Sequence, residues 1–452
     1  MAGPVAGTHE TWSSRFTFIM AAVGSSVGLG NFWRFPFTAG ENGGGAFVIL
    51  YLIAVAVVAL PVLMAEYAMG RHVGLSAPEA TEELAQRAGK SQKWAAVGWI
   101  GGLGSFFIVC FYCVIAGWIL AYVGPAFTGQ FNGVSAEESE ALFTALLADK
   151  PRLILWHFIF AAMTVAIVMR GLKGGIETAV NILMPAFFVM LVVVVGFALT
   201  AGDVGAAASF LLNPDFSKIG FDAALAAVGQ ALFSVGVGSS LMMTYGAYLQ
   251  KDQNIAKSST LIAGCDTAVA LIAGFAVFPI VFAFGLDPNG GPGLFFVTLP
   301  AAFGQMPFGA LFGGVFFLLA IFAALTSAIS LFEVAVSWFE ERHGVTRWGA
   351  ALGLGFVMWM VGVGCIFNAG TSYIDFLDFA TGTVILPLGA VLVTVFAGWI
   401  VKRTVFEEEF ADAPAWARDA WFTVVRYVVP VAVLIIMVAG LFQAASGFLA
   451  AG

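Results

Sequence analysis

Long apolar stretches, separated by short polar ones, recur from one end of the chain to the other. A run of about 20 apolar residues is long enough to cross a bilayer as a helix. Eleven such runs can be marked, at roughly 16–38, 45–69, 96–124, 153–169, 178–200, 224–249, 258–285, 308–338, 348–367, 373–401 and 423–449. Several exceed the minimum, which predicts tilt or helical extensions beyond the hydrocarbon core. The expected fold class is therefore an all-α polytopic membrane protein.

Two of the runs are interrupted in the middle. The first contains Gly24-Ser25-Ser26-Val27-Gly28-Leu29-Gly30-Asn31-Phe32-Trp33-Arg34-Phe35-Pro36. Glycines loosen the helix there, and an asparagine and an arginine follow where polar groups are costly. Irregular backbone at that depth survives only if it lines a cavity or is buried in protein. An intramembrane arginine points to function. The sixth run contains Gly229-Gln230-Ala231-Leu232-Phe233-Ser234-Val235-Gly236-Val237-Gly238-Ser239-Ser240, a second glycine–serine interruption. If crossings 1–5 and 6–10 form two halves, the breaks hold matching positions, and five being odd, the second half is inverted. Paired interrupted segments at corresponding positions are the best sequence pointer to a transporter binding site.

Composition agrees with the pattern. The 452 residues are 60% hydrophobic and 10% charged, against about 25% charged in soluble domains. Mean hydropathy is +0.96. The net charge of -8 gives no reason to expect nucleic acid. Cys110, Cys113, Cys265 and Cys365 all lie in apolar runs, which argues for helix packing over disulfides. The Cys110/Cys113 pair has no second pair or nearby histidine to complete a zinc site. His72, His157 and His343 read as surface or interfacial residues. The segment Met1 to Ser14 is polar and shows no cleavable signal.

Lysine and arginine set the orientation. With the N-terminus inside, Arg15, Arg71, Arg87, Lys90, Lys93, Arg170, Lys173, Lys251, Lys257, Arg342, Arg347, Lys402, Arg403, Arg418 and Arg426 are cytoplasmic. Only Lys150, Arg152, Lys218 and the intramembrane Arg34 are not. An odd number of crossings puts the C-terminus outside. The chain divides into an N-terminal tail (1–15), crossings 1–5 (16–200), an extracellular loop (201–223), crossings 6–10 (224–401), and a cytoplasmic linker with crossing 11 (402–452).

The breaks carry specific chemistry. Half-helix N-termini offer free N–H groups and a positive dipole end to a carboxylate. Unwound carbonyls and half-helix C-termini suit a cation such as sodium. Asn31, Ser234, Asp266, Thr326 and Ser327 add hard oxygen donors at intramembrane positions. A site with both kinds of group suits a zwitterion accompanied by metal ions.

The stretches Gly28-Leu29-Gly30-Asn31-Phe32-Trp33-Arg34-Phe35-Pro36, Glu41-Asn42-Gly43-Gly44-Gly45-Ala46-Phe47 and Glu66-Tyr67-Ala68-Met69-Gly70-Arg71 closely resemble the neurotransmitter:sodium symporters, including bacterial amino acid transporters. The resemblance runs from Trp12 to about the tenth crossing. It implies the leucine-transporter fold, a 5+5 inverted repeat with broken helices 1 and 6, here with an eleventh helix. It implies two sodium ions. The first would be held by Ser26, Asn31, Ser234 and Asp266 with the substrate carboxylate. The second would be held by the carbonyls of Gly24, Val27 and Ala323 and the hydroxyls of Thr326 and Ser327. The substrate would lie among Ser25, Ser26, Gly28, Leu29, Gly30, Ile108, Tyr112, Phe233, Ser234, Gly236, Ser239, Ser327 and Leu331. Tyr112 would donate to its carboxylate and Phe233 would act as a lid. Arg34 and Asp378 would pair as an extracellular gate. His9, Trp12, Tyr248 and Glu341 would form a cytoplasmic one.

Departures from the family pattern sharpen the expectation. Monoamine carriers have an aspartate where this chain has Gly28, so its absence favours amino acids. Chloride-dependent members place a small polar residue at the Ala270 position, and many chloride-independent ones a glutamate. This chain has neither. It has Asp266 one turn earlier, where the family usually has asparagine. Asp266 would supply the charge that chloride otherwise brings, giving chloride-independent uptake, with proton antiport on the return step left open. Gly236 and Ser239 leave room for branched or aromatic side chains. The expected function is sodium-coupled symport of hydrophobic L-amino acids in a bacterial plasma membrane, by a monomer or weak dimer.

Other readings explain less. Gly24-x-Ser26-x-Gly28 fits a hydrolase elbow, but the preceding strand and partner histidine are missing, and no nucleophile–base pair suggests an enzyme. The glycines could be simple packing sites, and Thr326 and Ser327 could bond back to their own helix. A membrane sensor using the same pocket without flux, or a symporter of another small zwitterion, remain as alternatives. Glu66 is expected to hold freed N–H groups of the sixth helix, and Glu333 is given no role.

Overall fold

Inside a bilayer each backbone N–H and C=O must find its partner within the protein, and a helix satisfies them locally. The computed structural model describes residues 10–285, 293–367 and 372–451, and among these residues there are helices and turns but no strand. Among the described residues, nine helices are individually long and apolar enough to cross a membrane. In chain order they are helix 2 (Gly45–Val73), helix 3 (Gln92–Phe127), helix 4 (Lys150–Val168), helix 5 (Leu172–Ala201), helix 7 (Ile255–Ala283), helix 8 (Gly309–His343), helix 9 (Arg347–Phe367), helix 10 (Tyr373–Ile400) and helix 11 (Ala415–Ser446). Helix 1 is a bent pair, Arg15–Ser26 and Gly30–Glu41, turned by 48° at the break. The sixth apolar run forms two arms, Phe221–Val235 and Leu241–Ala247, and neither is long enough to cross alone.

The arrangement has the two broken helices, 1 and 6, among unbroken ones, as the resemblance implies. Helix 8 runs against helix 3 at its centre and also touches helices 1, 4 and 5. Helix 2 packs on the second arm of helix 6, helix 7 on helix 5, and helix 11 on helix 10. The contact between helix 2 and helix 6 is backbone to backbone. A Cβ on Gly70 would lie 2.0 Å from the Met243 carbonyl oxygen, so a larger residue would force the two apart.

The cysteines are free, and three of the four are buried in the helix contacts. His157 corrects the expectation of a surface position. It is fully buried, with Nε2 3.2 Å from the Trp359 carbonyl oxygen. Glycine makes the room: a Cβ on Gly362 would sit 2.2 Å from that nitrogen.

Specific hydrogen bonds hold both breaks. The first arm of helix 6 ends in a Schellman closure. Val237 N–H donates to the Leu232 carbonyl at 3.2 Å and Gly236 N–H to the Phe233 carbonyl at 3.2 Å, with Gly236 left-handed at φ 75°. Gly238 follows at φ 81°, and its N–H donates to Glu66 Oε1 at 2.7 Å. Ser105 Oγ donates to the Ser239 carbonyl at 2.6 Å, and Gln230 Nε2 to the Gly30 carbonyl at 3.0 Å. Helix 1 stops because Val27 is extended (φ -74°, ψ 99°), and it resumes through a π turn at Gly30–Arg34.

The fully buried Glu66 therefore props the helix 6 break from helix 2. Glu66→Ala would strand a buried N–H, at a cost of about 1–3 kcal/mol. A lower unfolding temperature in detergent is expected for Glu66→Ala, and a smaller drop for Glu66→Gln, which keeps an acceptor. Equal stability of all three proteins would remove this role.

Candidate functional site

The two breaks, helix 3 and helix 8 line a pocket in the middle of the bundle. Its wall combines Ser25, Ser26, Gly28, Leu29 and Gly30 from helix 1 with Ile108 and Tyr112 from helix 3. Helix 6 adds Phe233, Gly236 and Ser239, and helix 8 adds Ser327 and Leu331. Ile108 and Tyr112 are four apart, as are Ser327 and Leu331, so each pair shares one helix face.

Ser234 is the member of the sequence-derived substrate set that does not line this cavity. Its hydroxyl donates instead to Asp266 Oδ2 at 2.7 Å. Two lining residues escaped the sequence reading, Leu241 and Leu386. Leu241 opens the second arm just after the break. Leu386 comes from helix 10, which reaches the break because Gly238 and Gly389 meet there. A Cβ on Gly389 would lie 2.0 Å from the Gly238 carbonyl oxygen. Gly389 was the available signal for this contact.

Part of the lining is polar. Tyr112 Oη accepts the Leu29 N–H at 3.3 Å, which leaves its own proton available to a ligand. Gly28 has no room for a side chain: a Cβ there would sit 2.5 Å from Ser327 Oγ and 3.1 Å from Tyr112 Oη. Ile108, Leu241, Leu331 and Leu386 add aliphatic side chains to the lining.

Behind helix 1, Asn31, Ser234 and Asp266 form a buried cluster. Asn31 Nδ2 donates to Asp266 Oδ1 at 2.8 Å, to the Asp266 carbonyl at 3.1 Å and to Ser234 Oγ at 3.2 Å. Asn31 Oδ1 accepts the Gly28 N–H at 3.0 Å, and Ser26 Oγ donates to the Val235 carbonyl at 3.2 Å. The carboxylate partners are neutral, and Asp266 is fully buried. Such a group gains most from a cation. Tyr51 of helix 2, also buried, is a neighbour of this cluster that the sequence did not single out.

A second group lies where helix 1 meets helix 8. Ser327 Oγ donates to the Ser25 carbonyl at 3.1 Å, across the break. Thr326 Oγ1 bonds back to the Ala323 carbonyl at 3.0 Å and the Phe322 carbonyl at 3.1 Å. Gly24 faces Thr326, whose Cβ would be 3.2 Å from an added Cβ. Val27 N–H donates to the Val23 carbonyl at 2.7 Å, which ends the first arm beside this group.

The two ends of the bundle differ. Arg34 and Asp378 come to either side of Gly382, Nη1 3.8 Å and Oδ1 3.9 Å from the position of an added Cβ. They make no direct ion pair, contrary to the pairing expected of them. Arg34 stacks on the Phe233 ring at 4.5 Å, and Asp378 is exposed. At the opposite end Trp12 is 1% exposed and is held on three sides. Its N–H donates to the Tyr248 carbonyl at 3.0 Å, its Nε1 to the Tyr245 carbonyl at 3.2 Å, and its carbonyl accepts from Gln250 Nε2 at 2.8 Å.

Tyr248 and Trp12 are thus brought together, while His9 lies outside the described residues. Glu341 accepts the Ser76 N–H at 2.7 Å. The acid on Tyr248 is Glu333, whose Oε1 accepts the tyrosine hydroxyl at 2.7 Å and whose Oε2 pairs with Arg347. An arginine opening the next helix was the cue for this partner.

Comparison with known proteins gives a consistent result. The model of the "Sodium:neurotransmitter symporter family" matches residues 9–139 and 149–449. An uncharacterized sodium-dependent transporter, YhdH of Bacillus subtilis, is 35% identical over 94% of this chain and 96% of its own length. An uncharacterized sodium-dependent transporter of Haemophilus influenzae is 31% identical over 96% of this chain and 98% of its own. Among solved structures, MhsT in complex with L-phenylalanine superposes with a TM-score of 0.88 at 37% identity, covering 95% of this chain and 99% of that one.

Proposed function

The chain belongs to the sodium:neurotransmitter symporter family and is a sodium-dependent transporter, and from that premise we propose that it carries hydrophobic L-amino acids. The observation that carries this reading is the cavity between the breaks, whose lining combines hydroxyl groups with large aliphatic side chains. The Tyr112 hydroxyl, at the helix 1 break, suits a carboxylate. Ile108, Leu241, Leu331 and Leu386 suit a branched or aromatic side chain. Among the described residues no acidic side chain lines the cavity, so an amine lacking its own carboxylate would find no counter-charge there. The relative MhsT holds L-phenylalanine.

Sodium enters this scheme as co-substrate at two places. One ion sits at Asn31, Ser234, Asp266 and the Ser26 carbonyl, beside the substrate carboxylate. The other sits between helices 1 and 8, at Gly24, Val27, Ala323, Thr326 and Ser327. Both sets offer the hard oxygens that sodium prefers. Asp266 supplies the charge that makes chloride unnecessary, and its proton exchange on the empty carrier would accompany the return step. The N-terminus is cytoplasmic and the C-terminus outside, in a bacterial plasma membrane. In this orientation the cytoplasmic path is sealed by Trp12 while the Arg34–Asp378 gate is unlatched. Alternating access then exchanges the two conditions. Sodium orders helix 1, Phe233 and Arg34 close over the substrate, and Trp12 withdraws.

The test is uptake of radiolabelled phenylalanine, tryptophan, leucine, glycine and GABA into proteoliposomes with an inward sodium gradient and gluconate in place of chloride. Concentrative uptake of the large apolar substrates over glycine and GABA is expected. Sodium-dependent binding without accumulation would replace transport with sensing. Preference for GABA would refute the substrate class.

A further inference from the structure

Helices 10 and 11 meet at their Arg403-side ends along a seam with an unusual cation. Arg426 lies in the first turn of the last apolar run. Gly398 lets it approach: a Cβ there would lie 2.9 Å from the Arg426 Cα. The Arg426 carbonyl accepts Trp399 Nε1 at 3.2 Å, which fixes the seam. The guanidinium lies 4.2 Å from the Trp399 ring centroid, 5.4 Å from Tyr427 and 6.0 Å from Phe422.

These rings are not enclosed. Trp399 is 51% and Tyr427 52% exposed, and only 11% of the apolar window of helix 11 is buried within the protein. The outer side of the seam therefore faces lipid. Arg426 Nε is buried and has no hydrogen-bond partner among the described residues. Arg403 provides the contrast. It stacks on Phe422 as well, at 5.2 Å, but it is paired with Glu407 and Asp419. Of two guanidiniums around one ring, one carries two carboxylates and the other carries none.

An unpaired arginine within a lipid-facing helix is costly without an anion. Tryptophan and tyrosine mark the headgroup level of a membrane. A guanidinium recognises phosphate oxygens in a planar, bidentate way. We infer that the Arg426–Trp399–Tyr427 seam is a binding site for the phosphodiester headgroup of an anionic phospholipid. The acyl chains would follow the exposed faces of helices 10 and 11. With the orientation proposed above, this is the inner leaflet, and nothing else in the inference depends on the transport reading.

The experiment is titration of phosphatidylglycerol into the purified full chain in neutral detergent, read by the shift in unfolding temperature. Phosphatidylcholine and inorganic phosphate are the comparison arms. A saturable upward shift with phosphatidylglycerol is expected. Arg426→Gln should weaken its apparent affinity about fivefold, on the scale of one cation at an anionic surface, while Arg403→Gln should not. Arg426→Lys, which keeps the charge without the planar fork, should fall between. Native mass spectrometry of wild type and Arg426→Gln gives a second readout, in retained phosphatidylglycerol. Equal shifts in wild type and Arg426→Gln would overturn the inference. So would an equal shift with inorganic phosphate or phosphatidylcholine, or a dimer that Arg426→Gln dissociates, which would assign the seam to a second copy. Because the readout is lipid binding, its failure is separate from any failure of uptake.

Discussion

Sodium-driven uptake in chloride-free medium should be lost in Asp266→Asn. The carboxylate is fully buried, and its hydrogen-bond donors, Asn31 Nδ2 and Ser234 Oγ, are neutral. The substitution keeps size and shape but removes the only full charge in the cluster. It also sets an amide N–H₂ against the Asn31 N–H₂, so one of the two must turn away. Breaking a buried charge pair costs on the order of 3 kcal/mol, more than a hundredfold in sodium affinity. The same variant should recover part of its uptake when chloride is restored, because an external anion can then take the vacated role. Wild-type uptake should be insensitive to chloride. Chloride-free uptake by Asp266→Asn within threefold of wild type would dismiss the electrostatic role, as would chloride stimulation of the wild type.

Gly28→Ala should abolish saturable amino acid binding while leaving the protein folded. The added methyl would sit 2.5 Å from Ser327 Oγ and 3.1 Å from Tyr112 Oη. Neither neighbour is free to retreat. Ser327 holds the Ser25 carbonyl from helix 8, and Tyr112 holds the Leu29 N–H from helix 3. Moving either breaks a bond that shapes the helix 1 break, and overpacking of this kind costs about 1–3 kcal/mol. The methyl also occupies space in the cavity. Equilibrium binding of labelled phenylalanine in detergent should fall by well over tenfold. Gly229→Ala serves as the control, since a Cβ there meets nothing within 4 Å. Wild-type affinity in Gly28→Ala, or an equal loss in Gly229→Ala, would show that this packing does not control the site.

Much of the site was legible because a membrane makes backbone irregularity visible. Glycine and serine in the middle of an apolar run have few uses there, so Gly24–Gly30 and Gly236–Ser240 stood out without any tertiary information. Glu66 was legible for the same reason, as a buried acid that needs donors. Leu241 and Leu386 were not legible, because an apolar residue in an apolar run carries no mark of the surface it faces. Helix 10 lines the cavity only because Gly238 and Gly389 bring two backbones together.

Charged pairs were the hardest to assign. Arg34 and Asp378 were identifiable as polar groups at one end of the bundle, yet their pairing depends on whether that end is closed. In this structure Arg34 takes the face of Phe233. Glu333 had no role assigned from the sequence, and only the fold decided that Tyr248 and Arg347 meet it. Arg426 looked like one more positive charge until Gly398 and Trp399 placed it in an aromatic seam without a carboxylate.

The chain by itself determined the crossings, the positions of the two breaks and the supply of hard oxygens. Those follow from local rules: how many apolar residues span a bilayer, and which residues release a helix. Tertiary structure decided which faces met across the cavity, which acid took which cation, and which end was sealed. These depend on approach distances of a few ångströms between segments far apart in sequence. Hydrophobicity drives such segments into the membrane but, once they are there, does not choose between their faces.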